Sequence, residues 1–173
     1  MPETTSEIAK SLQNQIDLKP GEKLYAVVDA AQDEGKLAFT LRDQMSHRIR
    51  MLFQGDAAQY LGDVAPYFVE LKPETDFLEL WANHSDTNPG ILLTSSANPQ
   101  KVFRHLREIF VVTDSNRQEH FFRFYDPRVF LVYLPTCTPT ERKAFFGPIN
   151  RFCVKGHDPE MWLTHGLSDR RER

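Results

Sequence analysis

The residues best suited to metal binding are two cysteines and two histidines near the end of the chain: Cys137, Cys153, His157 and His165. These side chains are common zinc ligands, and structural zinc sites usually take two cysteines from one turn, with about two to four residues between them. Cys137 and Cys153 are 16 residues apart in the sequence. We therefore predict no metal site and interpret the cysteines as buried free thiols and the histidines as surface imidazoles.

The same residues raise the alternative of a hydrolase with a cysteine nucleophile. Cys137 is the better placed of the two thiols, because it directly precedes Thr138, the predicted cap of the helix from 139. A nucleophile also needs a base and a group that orients this base, and no local motif supplies them. Asp29 follows an apolar run, where a carboxylate can bind Mg²⁺, but capping of the next turn is the simpler interpretation. We predict a protein that is not an enzyme and has no cofactor, and a cysteine hydrolase remains the alternative.

Bulk composition excludes two further classes of protein. The net charge is -3, with 21 basic and 24 acidic residues, which argues against a nucleic-acid partner because such binding requires a basic face. No apolar run approaches the roughly 20 residues that cross a bilayer, so we predict no membrane insertion. The N-terminal residues are polar and do not resemble a secretory signal, which favours a cytoplasmic location.

The pattern of apolar residues, with turn and capping residues between them, predicts alternating helices and strands. The predicted helices are 5–16, 36–45, 57–62, a helix from 76, a helix from 99, 127–134 and a helix from 139 that stops at 147. The predicted strands are 24–29, 50–53, 66–71, 91–94 and 149–154, with a hairpin of 110–113 and 119–125. We therefore expect a single α/β domain, bordering on α+β, with a mixed β-sheet flanked by helices. Its predicted parts are an N-terminal helix and linker (1–22), the main domain (23–154) and a C-terminal tail (155–173).

The helix predicted from Asn98 and Pro99 has a basic outward face. This face carries Lys101, Arg104, His105 and Arg107. It suits an acidic peptide or an acidic helix, although a face of this kind can also be merely solvated. We predict partner contacts for Lys101, Arg104 and Arg107.

The segment from His120 to Phe130 is rich in phenylalanine and contains two arginines. As a strand, it would place Phe121, Arg123 and Tyr125 on one face, so that the Arg123 guanidinium lies between aromatic rings. Asp126 and Pro127 would then start a helix. Arg123, Tyr125 and Arg128 are candidate partner-binding residues, and the alternative is that the two arginines brace the strand–helix corner.

Several sequence motifs occur in an order that is similar to one known family. They are Leu24–Ala31, Val64–Val69, Arg104–Arg107, Phe122–Arg128, Leu131–Cys137 and Phe145–Ile149. Together they resemble the bacterial type VI secretion effector chaperone or adaptor family, formerly a domain of unknown function, over about Lys23 to Val154. Asp126, Pro127, Phe146, Gly147 and Pro148 are the structural positions within these motifs.

The resemblance implies binding of other proteins rather than catalysis. Members of this family bind a toxic effector in the producing cell and help to load it onto the VgrG spike of the secretion apparatus. The expected partners are therefore a cognate effector and VgrG. A general protein-interaction scaffold that binds neither of them remains a further alternative.

Overall fold

The computed structural model describes residues 5–45, 48–71, 77–156 and 161–169. Six of its strands form one sheet in the order β2-β3-β1-β4-β7-β8, and the other two form a separate hairpin. The strands are β1 (Lys23–Asp29), β2 (Ile49–Met51), β3 (Pro66–Leu71), β4 (Gly90–Ser95), β5 (Val111–Thr113), β6 (Glu119–Phe121), β7 (Arg151–Lys155) and β8 (Trp162–Gly166). Every described pairing is antiparallel, so the sheet is not the mixed sheet that the sequence predicts.

Seven α-helices are described, and they pack around this sheet. They are α1 (Thr5–Ile16), α2 (Lys36–Met45), α3 (Gly55–Tyr60), α4 (Phe77–Asn83), α5 (Pro99–Phe110), α6 (Pro127–Tyr133) and α7 (Pro139–Phe146). The fold class is confirmed: one domain that combines helices with a sheet. Within the described ranges, no helix has the length and apolar character needed to cross a membrane.

The two faces of the sheet bury different kinds of side chains. On one face, Leu24, Ala26 and Val28 of β1 join a largely aliphatic cluster with residues of α1, α2 and α4. On the other face, Tyr25 and Val27 join a cluster rich in phenylalanine from α5, α6 and α7. Because both faces are covered, β1 is a nearly continuous apolar run, as the sequence indicates.

Local capping signals position the helices on the aromatic face. The Asn98 side chain accepts a hydrogen bond from the Lys101 amide at the start of α5, and Asp126 does the same for Arg128 in α6. Thr138 and Glu141 form a complete capping box at the start of α7. These starts agree with the sequence predictions, because each is determined by neighbouring residues. The sequence Thr4-x-x-Glu7 also predicts a capping box for α1, but Thr4 lies outside the described residues.

The second strand of the hairpin is shorter than predicted. β6 ends at Phe121, and the chain then turns, with the Phe124 amide donating to the Phe122 carbonyl and the Asp126 amide to the Arg123 carbonyl. Phe124 and Tyr125 are both buried, and two consecutive residues of a strand cannot both face the same core. The predicted alternation of faces from His120 to Tyr125 is therefore wrong.

The predicted C-terminal tail contains a strand that the sequence interpretation missed. β8 pairs with β7, with Phe152 opposite His165, and Trp162 is buried against the aliphatic face. Arg142 of α7 also holds this segment, since its Nε donates to the Leu167 carbonyl and its Nη2 to the Gly166 carbonyl. The short, partly polar sequence of β8 lacks a clear strand pattern, and pairing with β7 defines it.

Candidate functional site

The first candidate surface is the corner where β1 ends and α6 begins, and Asp29 lies at its centre. Asp29 is 3% exposed, and its Oδ1 accepts a hydrogen bond from the Ala31 amide at 3.0 Å. Its Oδ2 accepts from Gln32 Nε2 at 3.2 Å and from Arg123 Nη2 at 2.6 Å. The carboxylate caps the turn after β1, as the sequence favoured, and it also binds Arg123.

Asp126 provides the second carboxylate of this corner. Its two oxygens accept hydrogen bonds from Arg128 Nε at 2.9 Å and Arg128 Nη2 at 2.7 Å, while Arg123 Nη2 lies 3.7 Å from Oδ2. Burial acts to raise the pKa of Asp126, but the hydrogen bonds and charge of Arg128 outweigh it and lower the pKa below its usual value. Asp126 is therefore ionised at neutral pH and anchors both arginines.

Tyr125 completes the corner. The Cζ atom of Arg123 lies 5.8 Å from the centroid of its ring, within the range of a cation–π contact. Burial, assisted by the negative charge of Asp29, raises the pKa of Tyr125 to about 12. Each arginine is thus held by a carboxylate, and the side chains of Arg123 and Arg128 remain 44% and 65% exposed. They brace the corner and also form part of its surface.

An apolar groove lies along α6, beside this corner. It has a volume of about 660 Å³ and is lined by Phe122, Asp126, Arg128, Val129, Val132, Tyr133 and Thr136. The rings of Phe122 and Tyr133 meet edge to face at 4.6 Å, and Val132 is 69% exposed. An apolar groove with an ionic rim can accept apolar side chains of another protein while its polar rim fixes their orientation.

The predicted basic face of α5 is divided in the structure. Lys101 and Arg104 are exposed, whereas the Cζ atom of Arg107 lies 5.6 Å from the Phe103 ring centroid. His105 instead contacts α7, with its Nε2 2.8 Å from the Phe145 carbonyl oxygen. A Cβ atom at Gly147 would lie 2.3 Å from the His105 ring, so the glycine permits this close contact.

Arg50 is a residue of this surface that the sequence interpretation did not single out. It lies on β2, and its Cζ atom is 4.2 Å from the Phe103 ring centroid. Its Nη1 donates to Gln100 Oε1 at 2.6 Å and its Nη2 to the Pro99 carbonyl at 3.3 Å. The sequence places Arg50 on a strand but does not show that this strand lies beside α5.

The remaining motif residues have structural contacts. Pro127 and Phe146 are buried, and the Pro148 carbonyl accepts a hydrogen bond from Ser95 Oγ at 2.6 Å. Because the Cβ contact at Gly147 involves His105, the segment from Phe146 to Pro148 joins α7 to both α5 and β4.

The cysteines and His165 are enclosed by other side chains. Cys137 and Cys153 are both buried thiols that form no disulfide in the described part of the chain, and burial raises the pKa of the Cys153 thiol to about 12. His165 is not the surface imidazole that the sequence predicts: its ring lies 5.5 Å from that of Phe130, and burial lowers its pKa. Among the described residues, no three histidine, cysteine or acidic side chains are grouped as metal ligands. His157 lies outside those residues.

Both candidate surfaces, the corner with its groove at α6 and the basic face of α5, lie within a segment that matches a known family. A family described as a domain of unknown function (DUF4123) matches residues 24–144, which is more than half of the chain. The chain belongs to the DUF4123 family. The DUF4123 match begins in β1 and ends in α7, so it includes the corner, the α6 groove and the basic face of α5. No curated protein and no solved structure matches the chain.

Proposed function

We propose that this DUF4123 protein is a non-enzymatic adaptor that binds a toxic effector of the type VI secretion system and helps to load it onto VgrG. Membership of DUF4123 is consistent with this function, and the resemblance of the ordered sequence motifs to the effector chaperone family supports it. In this proposal the adaptor acts in the cytoplasm of the producing bacterium. The corner and groove at α6 carry the proposal, because they offer an apolar surface beside fixed charges.

In the proposed complex, an apolar stretch of the effector lies in the α6 groove. Val132 is the most exposed aliphatic side chain of this groove, and it would contact the effector directly. Arg128 lies at the rim, where Asp126 holds its guanidinium in a fixed position. A pre-positioned rim reduces the entropy that would otherwise be lost on binding. The arginines thus contribute to binding mainly by shaping the rim.

Affinity capture from a bacterium with an active type VI secretion system tests the adaptor function. The tagged full chain is expected to enrich a type VI effector, VgrG or both, identified by mass spectrometry. Val132→Asp is expected to lose the effector, because it places a charge in the apolar groove. Val64→Asp is the matched control, since Val64 is also exposed but does not line the groove. Recovery of neither protein, or equal recovery by Val132→Asp and wild type, would contradict the proposal.

A further inference from the structure

Two arginines from different elements lie against one phenylalanine on the surface of α5. The Cζ atoms of Arg50 and Arg107 are 4.2 and 5.6 Å from the centroid of the Phe103 ring. Arg104 is exposed on the same helix. One turn of an α-helix is about 3.6 residues, so Arg104 and Arg107 lie on adjacent parts of one face. We call Arg50, Phe103, Arg104 and Arg107 the α5 arginine surface.

Among the residues that the structure describes, no carboxylate pairs with the cations of the α5 arginine surface. Within the described part of the chain, none of its three arginines forms an ion pair. The Nε atom of Arg107 is buried and has no hydrogen-bond partner among these residues. A buried donor without a partner is rare in folded proteins, so the charge of the Arg107 guanidinium is only partly compensated within this part of the chain.

Two acidic groups lie near this surface, and neither forms an ion pair with it in the described part of the chain. Glu70 acts on Arg50 through space, but its Oε1 lies 3.9 Å from Lys23 Nζ. Glu108 is exposed on α5, one turn after Arg104, without an ion pair to it. Arg50 is half-buried, and this burial lowers the pKa of its guanidinium. A carboxylate supplied from outside would therefore meet two cations, Arg50 and Arg107, that lie against Phe103 and are only partly solvated, beside the exposed Arg104.

We propose that the α5 arginine surface binds an acidic segment of a partner protein, with carboxylates paired to Arg104 and Arg107 and apolar atoms against Phe103. This inference rests on the proposed adaptor function, which identifies the partner protein as the effector or VgrG. Binding of the acidic segment itself does not require the α6 groove. Guanidinium groups form two parallel hydrogen bonds to a carboxylate, so the surface can pair with Asp and Glu side chains.

An acidic protein segment fits this surface better than a nucleic acid does. The basic side chains of the surface lie on one helix and one strand edge, which allows contact with only a few charges. Phe103 additionally offers part of its ring to an aliphatic or aromatic side chain within the acidic segment.

Fluorescence anisotropy with a labelled octaglutamate peptide tests the inference on the full chain. Wild type is expected to bind the peptide, and the affinity should fall between about 50 mM and about 300 mM salt because exposed charges are screened. The double variant Arg104→Glu/Arg107→Glu should weaken binding at least about tenfold, since repulsion replaces two charge pairs. Arg104→Glu alone should also weaken peptide binding. Because Arg104 is exposed, this single variant tests the surface even if the double variant misfolds.

The matched control is Arg42→Glu/Lys143→Glu, which makes the same change in net charge on two other helices. Arg42 also lies over a phenylalanine ring, with its Cζ atom 5.0 Å from the centroid of Phe39. This control and Val132→Asp should both bind the peptide within about twofold of wild type, since neither alters the α5 arginine surface. If Val132→Asp keeps peptide binding but loses the effector, its defect lies in the α6 groove and not in the α5 arginine surface.

Three results would overturn the inference. One is that wild type does not bind octaglutamate even at about 50 mM salt. Another is an equal loss of peptide binding in the control and in the α5 variants, which would mean that only net charge matters. The last is that octathymidylate binds at least as tightly as octaglutamate and is lost in the same α5 variants, which would make the surface a phosphate site.

Discussion

The corner at Asp29 and the α5 arginine surface use the same side chain in opposite ways. At the corner, Arg123 and Arg128 are each bonded to a carboxylate, and the aspartates are buried. On the α5 arginine surface, Arg50 of β2 and Arg107 of α5 lie against Phe103 without ion pairs in the described part of the chain. The comparison indicates that the pairing of an arginine, rather than its position in a motif, distinguishes a structural brace from a group available to a partner.

The largest effect expected from this comparison is on stability, at Asp29. Asp29→Ala should lower the free energy of unfolding by about 2–3 kcal/mol, because Arg123 and the Ala31 amide lose a buried acceptor. The estimate is reduced from that of a fully buried pair, since the Arg123 side chain is 44% exposed. Urea denaturation measures the change. Asp43→Ala, at an exposed position on α2, serves as the control and should stay within about 0.5 kcal/mol of wild type.

Asp126→Ala should have the next largest effect. It removes the helix cap of α6 together with both hydrogen bonds from the Arg128 guanidinium, and we expect a loss of about 1.5 kcal/mol. Thermal unfolding followed by circular dichroism would show this change. An unchanged melting temperature would mean that the corner is not braced as described.

Acidification should weaken the corner through the same carboxylate. The pKa of Asp126 is lowered in the folded protein, so its contribution is present above the unfolded value of about 3.9 and is lost as the pH falls through the folded value. We expect the stability that this group contributes to disappear below about pH 4. Urea denaturation of wild type and of Asp126→Asn, each at neutral and at acid pH, isolates the contribution of Asp126 to the free energy of unfolding. A pH dependence that is identical in the two proteins would exclude Asp126 as the source.

The smallest effect on stability is expected on α5. Arg104→Ala should change the free energy of unfolding by less than about 0.5 kcal/mol, because Arg104 is exposed and forms no described ion pair. Arg107→Ala should cost about 0.5–1 kcal/mol through its contact with Phe103. Urea denaturation tests both. A loss as large as that of Asp29→Ala would place the α5 arginines among the braces and remove the contrast.

The sequence predicts those parts of the fold that depend on near neighbours. Asn98 with Pro99, Asp126 with Pro127 and Thr138 with Glu141 mark helix starts that the structure confirms. The turn from Phe122 to Tyr125 was not predicted, because it follows from burial of adjacent aromatic residues in a core assembled from distant segments. β8 was not predicted for a similar reason, because this strand is defined by its pairing with β7.

The candidate site likewise has a part that the local sequence predicts and a part that only the tertiary structure shows. Arg123, Tyr125 and Arg128 could be singled out because they lie within one aromatic segment. The pairing of Arg123 with Asp29 joins residues 94 positions apart, and no local pattern contains it. Arg50 reaches α5 from a strand 50 positions away from Gln100, and its contact likewise depends on tertiary structure.

Titration calorimetry of the purified chain with a captured type VI effector is the most direct test of the proposed adaptor function. We predict binding by wild type and Val64→Asp with similar affinity, and at least about tenfold weaker binding by Val132→Asp, since a charge in an apolar contact is strongly unfavourable. Equal affinity of Val132→Asp and wild type for the effector would contradict the assignment of the α6 groove. Failure of wild type to bind any effector or VgrG would contradict the adaptor function itself.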